Sequence, residues 1–124
     1  MEILLPDREM DVMEVLWERA SATASEVREA IADDLAYNTV LTYLRRLEQK
    51  GFVAHTEEGR THRYHPLIQR EQVRRSVVQR MLDRVFEGSP ELLLTHLVSA
   101  RQLSDDEIRG LRELLRNHLP EGES

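Results

Sequence analysis

The stretch that decides the fold is residues 37–66, YNTVLTYLRRLEQKGFVAHTEEGRTHRYHP. Its first part has the period of an α-helix, because Val40, Leu44 and Leu47 are spaced i, i+4 and i+7 and so share one apolar stripe. The second part alternates in short runs on either side of a turn predicted at Glu58 and Gly59, a pattern typical of a β-hairpin. A helix followed by a hairpin is therefore predicted here.

The face of this helix opposite the apolar stripe is polar, rich in hydrogen-bond donors and free of carboxylates. Gly51 is predicted to end the helix in a left-handed conformation, and Lys50 in the last turn suits the negative end of the helix dipole. A polar helix before a hairpin indicates a winged helix-turn-helix, whose helix enters the major groove of DNA. The polar face comprises Asn38, Thr42, Arg45 and Gln49, with Thr39 and Arg46 beside it.

Two further helices are predicted before residue 37. Residues 3–20 form the first helix, and Trp17 is expected to anchor the core. Residues 23–26, TASE, form a capping box that opens a second helix, which ends at Asp33 and Asp34. Two helices joined by a tight turn make the helix-turn-helix unit. The inward residues expected in the second helix are Val27, Ala30 and Ile31.

Three helices are predicted after Pro66, over residues 69–86, residues 91–98 and a last segment opened by a capping box at residues 104–107. In the last of them, Ile108, Leu111, Leu114 and Leu115 are expected to point inward. Together the three helices still carry more apolar side chains than helices of this size can cover. These side chains either pack on the first domain or form a dimer interface, and we favour the interface. Its expected residues are Val77, Met81, Val85, Leu93, Leu94, Leu97, Ile108, Leu111 and Leu115.

The composition limits the class of protein. The chain has 124 residues, of which 40% are hydrophobic and 32% charged, as in one or two small, mostly helical domains. The lack of cysteine excludes disulfides, thiolate metal sites and cysteine nucleophiles. No apolar run approaches the ~20 residues of a membrane span, and no signal peptide opens the chain. We therefore expect a soluble, cytoplasmic protein.

Charge is distributed unevenly along the chain. The formal net charge is −6, which by itself argues weakly against binding of nucleic acid. The acidic excess lies at the two ends, with a net charge of −7 over residues 1–34 and −4 over residues 87–124. The middle is basic, at +2 over residues 35–66 and +3 over residues 67–86. A local basic surface is what phosphate binding requires, so DNA remains a suitable partner.

Neither a catalytic site nor a metal site is predicted. The sequence contains no HExxH, GxSxG or phosphate-cradling glycine loop, so we expect neither an enzyme nor a cofactor. If Glu58 and Gly59 form the turn, His55 and His62 lie opposite each other on one face and His65 points to the other. Two ligands do not close a zinc site, and no metal is expected.

The chain resembles the BlaI/MecI/CopY family of bacterial repressors. The resemblance is carried by LPDREMDVMEVLW, TASEVREAI, LAYNTVLTYLRRLEQKGFV and GRTHRYHP, then by RVFEG and LSDDEIRGLRELL, in the family's order. It implies a winged-helix DNA-binding domain over residues 1–67 and a helical dimerisation domain over residues 68–124. It also implies a homodimer that represses a double-stranded operator with dyad symmetry, and, in antibiotic-responsive members, a regulatory protease as partner.

Two departures from the family narrow what the resemblance implies. Copper-responsive members carry cysteines near the C-terminus, and this chain has none, which excludes direct thiolate sensing of metal. Antibiotic-responsive members are cut at an Asn-Phe bond, whereas the matching place here has His96 followed by Leu97. The resemblance therefore does not imply cleavage at the His96-Leu97 bond. Without that cleavage it does not imply a link to β-lactam resistance either.

Two hypotheses follow for the function. The first is a dimeric DNA-binding repressor, in which Asn38 reads adenine and a threonine methyl touches thymine. The second is a protein-interaction module that uses the same fold. The carboxylate-free helix face favours DNA, because a helix that binds protein would more often show apolar anchors there. The residues expected to contact DNA are Asn38, Thr39, Thr42, Arg45 and Arg46, and Arg60, which the resemblance places on the hairpin.

Overall fold

The computed structural model describes residue 3 and residues 5–118. The part of the chain it describes is mostly helical, with a small antiparallel sheet, as predicted. In chain order the elements are α1 (Asp7–Arg19), β1 (Ala22–Thr23), α2 (Ala24–Ala30), α3 (Tyr37–Gln49), β2 (Val53–Glu58), β3 (Thr61–Pro66), α4 (Arg70–Arg84), α5 (Pro90–Ala100) and α6 (Asp105–His118). The polar tail predicted after residue 118 lies outside the described residues.

The chain forms two compact units, one up to Arg80 and the other from Met81 onward. The division falls within α4, later than the boundary expected after residue 67. The cause is the packing of the residues that follow the sheet. Ile68 and Val73 are 5% and 1% exposed and belong to the core of the first unit. The Ser76 hydroxyl also accepts a hydrogen bond of 2.9 Å from the backbone N–H of Ile3.

Polar side chains cap two of the helices as the sequence predicted. At the start of α2, Thr23 Oγ1 accepts from the Glu26 N–H at 3.2 Å, and Glu26 Oε1 accepts from the Thr23 N–H at 2.8 Å. Ser104 and Glu107 make the same reciprocal pair before α6, at 3.1 and 3.0 Å. Each pair satisfies two backbone groups that a helix end would otherwise leave without partners.

The sheet has the strand order β1-β3-β2, and both pairings are antiparallel. Glu58 is paired with Thr61, so Gly59 and Arg60 form the two-residue turn, and the prediction of a turn at Glu58 and Gly59 was wrong by one position. Gly59 adopts φ +65°, which suits a hairpin turn with glycine at its first central position. The short strand β1 was not predicted from the sequence; it pairs with β3 and joins the start of α2 to the sheet.

The core of the first unit is formed by α1, α2, α3 and the sheet, together with Ile68 and Val73. Trp17 lies at its edge, half-buried, and its Nε1–H donates a hydrogen bond of 2.9 Å to the Ile68 carbonyl. Ala30 is exposed rather than inward, and α2 ends at Ala30 rather than at Asp33. The largest fully buried side chains are Tyr64, Met13, Leu16, Leu44, Leu47, Val12, Val27, Val40, Val53 and Val73.

The second unit leaves much of its apolar surface uncovered in the single chain. None of the side chains of α5 is buried. Leu114 and Leu115 of α6 were expected to point inward, but they are 55% and 56% exposed. Ile108 and Leu111 are half-buried. Three helical segments of this length do not enclose a core of their own. This agrees with the sequence, which has more leucine in these segments than such helices can cover.

No helix in the described part of the chain has the length and apolar character required to cross a membrane.

Candidate nucleic-acid interface

Helix α3 separates an apolar face from a polar face as the sequence predicted. Val40, Leu44 and Leu47 are fully buried in the core of the first unit. The opposite face is solvent-exposed, except that Thr39 is half-buried at its edge. The buried stripe fixes the rotation of α3 and therefore aims the polar face away from the core. The exposed residues of this face are Asn38, Thr42, Arg45, Arg46 and Gln49.

The hydroxyl of Thr42 is already engaged within α3. Its Oγ1–H donates a hydrogen bond of 2.9 Å to the Asn38 carbonyl one turn earlier. The oxygen keeps its capacity to accept, but its proton is not available to a base. The methyl group of Thr42 is then the feature of this side chain best suited to discriminate between bases, since it can pack against the methyl group of thymine.

Three arginines of α3 and the hairpin form no hydrogen bond or ion pair with any described residue. These are Arg45 and Arg46 on α3 and Arg60 in the turn, and all three are exposed. A guanidinium that no carboxylate neutralises is available to a phosphate, and it can form two parallel hydrogen bonds to one. All three were among the predicted site residues.

Three other basic side chains in the first unit are neutralised by carboxylates. Arg8 is paired with Asp33, and Lys50 Nζ lies 2.7 Å from Glu9 Oε1. Arg63 contacts Glu58 at 2.5 Å and Glu26 at 3.1 Å. The pKa of the Arg63 guanidinium is raised, chiefly by its hydrogen bond to Glu58. The arginines of the polar face and the turn therefore differ from Arg8, Lys50 and Arg63, whose charges are neutralised by carboxylates.

A cleft of about 320 Å³ lies between α3 and the β2–β3 hairpin. Tyr37 and Arg45 line it from α3, while Arg60 and His62 line it from the hairpin. Two of the three unpaired guanidiniums thus face one concave space. Glu48 also lines the cleft, so two guanidiniums and one carboxylate face it. Guanidiniums placed in this way can hold the phosphates of a sugar-phosphate strand.

A chain of contacts from α3 sets the position of the hairpin. Glu48 Oε2 lies 2.6 Å from His55 Nδ1, and the His55 ring stacks on the His62 ring with centroids 4.1 Å apart. His55 and His62 share one face, as predicted, although the corrected turn makes them diagonal neighbours across the strands. Tyr64 lies beside them, and burial, followed by the charge of Glu48, raises the pKa of its hydroxyl.

Sequence reasoning missed the two ion pairs that brace this surface. The pair of Lys50 with Glu9 joins α3 to α1, and the contact of Arg63 with Glu26 joins the hairpin to α2. Both join residues far apart in the chain, so helical or strand spacing carries no sign of them. Within the described residues, no three His, Cys, Asp or Glu side chains come together as a metal site.

Known proteins resemble this chain over most of its length. The penicillinase repressor family matches residues 5–117. The transcriptional regulator BlaI of Mycobacterium tuberculosis (strain H37Rv) is 36% identical over 118 residues, which cover 90% of this chain and 82% of that protein. The penicillinase repressor of Bacillus licheniformis is 29% identical over 116 residues, covering 92% and 91%. The methicillin resistance regulatory protein MecI of Staphylococcus aureus (strain N315) is 28% identical over 109 residues, covering 86% and 89%.

Solved structures give the same picture for the first unit. The DNA-binding domain of the repressor BlaI aligns with a TM-score of 0.50 and 32% identity, over 56% of this chain and 90% of that one. A MarR family protein from Bacillus stearothermophilus aligns with a TM-score of 0.55 over 93% of this chain and 73% of that one. Its identity is 21%, so this second likeness concerns the fold alone.

Proposed function

The chain belongs to the penicillinase repressor family, and we propose that it is a sequence-specific DNA-binding transcriptional repressor that acts in the cytoplasm, where its DNA target lies. The observation that carries the proposal is the exposed face of α3, which is free of carboxylates and bears unpaired arginines beside an arginine of the hairpin turn. Phosphate contacts from such arginines position a protein on a duplex, while shorter polar side chains read base edges.

The base-reading role falls to the residues of α3 nearest its N-terminus. Asn38 can form two hydrogen bonds to adenine, and Thr42 offers its methyl group to thymine. Thr39, half-buried at the edge of the face, completes this set. Arg45 and Arg46 follow one turn later and have the reach to meet phosphate or guanine, while Arg60 meets the backbone from the hairpin.

The repressor would act as a homodimer on an operator with dyad symmetry. In the single chain, the segment from α4 to α5 exposes apolar side chains to water, and Val85 between the two helices is 66% exposed. A symmetric pairing of two chains would cover this surface and would join two reading modules, which raises affinity without any new DNA contact. The residues that we assign to this interface are Val77, Met81, Val85, Leu93, Leu94, Leu97, Ile108, Leu111 and Leu115.

Repression would be relieved by any agent that separates the two chains. Leu94, Leu97 and Val98 are exposed along α5. A regulatory protease that cuts near them, or a ligand that loosens them, would split the dimer and leave α3 unchanged. The sequence His96-Leu97 differs from the bond that antibiotic-responsive relatives present, so a protease acting here would need a different specificity.

A protein-interaction role for α3 is less well supported. A helix that docks in a groove of another protein presents apolar anchors at helical spacing. The exposed face of α3 presents amide, hydroxyl and guanidinium groups. The apolar residues Val40, Leu44 and Leu47 of this helix are buried in the core of the first unit.

The deciding experiment measures binding of the whole protein to DNA. A fluorescent duplex from the region upstream of its own gene is compared with a shuffled duplex of the same composition, at two salt concentrations. We expect tighter binding to the upstream duplex and weaker binding to both duplexes at higher salt. Equal affinity for the two duplexes, or no binding to either, would refute the proposal.

A further inference from the structure

A second concave site lies in the first unit, away from the polar face of α3. It is a groove of about 450 Å³ between α1 and the first half of α4. Met10 and Trp17 line it from α1, and Val73 and Val77 line it from α4. The volume is within the ~300–1,000 Å³ typical of small-molecule sites, which are mostly apolar with a few polar groups at the edge.

The aromatic wall of the groove is held rigidly. Trp17 is fixed by the hydrogen bond of its Nε1–H to the Ile68 carbonyl at 2.9 Å. Val73, the residue of α4 that faces the core, is 1% exposed. A ligand that enters therefore meets a ring whose orientation is already set, and little conformational entropy is lost on binding.

The edge of the groove carries an excess of positive charge. The Arg70 guanidinium lies 5.3 Å from the centre of the Trp17 ring and forms no ion pair with any described residue. Arg74 contacts a carboxylate only weakly, at 3.9 Å from Glu71, with both side chains more than half exposed. Glu14 is the one acidic residue among those that line the groove.

We propose that this groove binds a small amphipathic acid, with an apolar body of one or two rings against Trp17 and an anionic group held by Arg70 and Arg74. The size of the groove favours a small molecule over a helix of a partner. A helix with its side chains is about 10–12 Å wide, so that a single turn of it takes up roughly the whole volume.

Such a ligand would contact α4 directly. This helix starts in the first unit and ends at Arg84, so it carries Met81 of the proposed dimer interface, and Val85 directly follows it. An acid bound between α1 and α4 would therefore change the packing of the helix that leads to the proposed dimer interface, and so could alter dimerisation. This regulatory consequence rests on the proposed function, whereas binding of the ligand itself does not.

Trp17 provides a direct measurement, because it is the only tryptophan in the chain. Its fluorescence is followed while the whole protein is titrated with phenylbutyrate, the neutral phenylbutyramide and the cationic phenylbutylamine, which share one apolar body. We expect saturable quenching or a spectral shift with the acid, and at least about 10-fold weaker binding of the amide, since a hydrogen bond to a charged group is worth about 1.5–3 kcal/mol. Equal binding of the three probes, or no saturable change, would overturn the proposal.

Variants then assign the anionic subsite. Arg70→Gln and Arg74→Gln should each remove most of the preference for the acid over the amide. Arg75→Gln is the matched control, because Arg75 is on the same helix, is paired with the same Glu71 and does not line the groove. If Arg75→Gln lowers the preference as much as the other two variants do, the effect is one of general surface charge and the proposal is wrong.

A second copy of the chain is the competing occupant, since Val77 also belongs to the proposed interface. Dilution without any probe tests this alternative. A Trp17 signal that follows the dissociation of the dimer, with tighter probe binding to the monomer, would mean that the partner fills the groove and would overturn the proposal.

The ligand site and the repressor function are tested by separate assays. DNA binding with no response of Trp17 to the acid rejects only the ligand site. A response of Trp17 without DNA binding rejects only the repressor function.

Discussion

Lys50 Nζ lies 2.7 Å from Glu9 Oε1, and this contact joins the C-terminal end of α3 to the first turn of α1. Glu9 is 3% exposed and is the one charged residue in the buried set, among the residues that the structure describes. A carboxylate that has lost its solvent requires a partner of opposite charge. The pair therefore fixes the end of α3 against the body of the first unit.

The first prediction concerns this pair. Lys50→Met should lower the free energy of unfolding by about 1–3 kcal/mol, less than for a fully buried pair because the lysine is one-third exposed. Glu9→Gln should cost less, because the amide can still accept a hydrogen bond and carries no charge. Urea denaturation of the variants measures both. Arg75→Met, which breaks an exposed pair with Glu71, is the control, and an effect of Lys50→Met no larger than this control would contradict the prediction.

The second prediction concerns pH and the capping box of α2. The pKa of Glu26 lies below its usual value of about 4.5, first because the backbone N–H of Thr23 donates to its carboxylate and then because Arg63 lies close by. A lowered pKa in the folded state adds stability above the usual pKa and loses it as the pH falls through the folded pKa. Glu26→Gln should therefore be less stable than the wild type near neutral pH.

The difference between the two proteins should shrink as the pH falls below about 4. Denaturation with urea at a series of pH values measures this difference. Glu29→Gln removes a carboxylate from the same helix outside the box and serves as the control. A difference that stays constant down to the acid end of the series would show that the charge of Glu26 contributes nothing.

Much of the first unit could be predicted, because its signals are local. The spacing of Val40, Leu44 and Leu47 fixed both the helix and the face that it buries. The motif TASE predicted a capping box that the structure contains, since the two hydrogen bonds join residues three apart. The exposed arginines of α3 followed from the same periodicity. These signals are properties of a few neighbouring residues, which sequence displays directly.

Other features depend on residues far apart in the chain, and spacing gave no sign of them. The last turn of α3 suggested that Lys50 interacts with the helix dipole, but the side chain reaches Glu9, forty-one residues away. The strand β1 is only two residues long and exists because β3 lies beside it. The turn at Gly59 and Arg60 was missed by one position because the alternation of the flanking residues fits either register.

The third prediction separates the two groups of the Thr42 side chain. Thr42→Val keeps a methyl group, whereas Thr42→Ser keeps the hydroxyl that donates to the Asn38 carbonyl. If the methyl group reads thymine, Thr42→Ser should bind the operator about 4-fold more weakly, since burial of one such group is worth about 0.8 kcal/mol. Thr42→Val should keep most of the specificity.

Operator duplexes with uracil in place of thymine complete this test. They lack the thymine methyl, so the wild type should lose affinity on one of these duplexes and Thr42→Ser should lose nothing further there. Additive losses for the protein and DNA changes would mean that the two methyl groups do not meet.

Asn38→Ala should lower the free energy of binding to the operator by about 1–3 kcal/mol, with little change in binding to a shuffled duplex.

The fourth prediction concerns Arg60 in the hairpin turn. Arg60→Ala should weaken binding to operator and shuffled DNA alike, because a phosphate contact carries no base information. The slope of log affinity against log salt should fall by about one per half-site. Arg63→Gln is the control on the same hairpin, because Glu26 and Glu58 already neutralise Arg63. An unchanged slope for Arg60→Ala would remove this residue from the interface.

The last prediction concerns the assembly, and it is tested with a fragment that contains the whole first compact unit. A fragment of residues 1–67 would lack Ile68, whose carbonyl holds Trp17, and the buried Val73. A fragment that ends at Arg80 keeps both and corresponds to the first compact unit. We expect this fragment to fold and to sediment as a monomer.

The operator affinity of the fragment should fall by about 10²–10⁴ relative to the whole protein, because two linked modules gain that much avidity. Its affinity for a single half-site should equal that of the whole protein, since α3 and the hairpin are intact. Fusion of the fragment to a dimeric coiled coil should restore most of the lost operator affinity. If the fragment dimerises on its own, or binds the full operator as tightly as the whole protein, the segment after Arg80 is not what holds the two reading modules together.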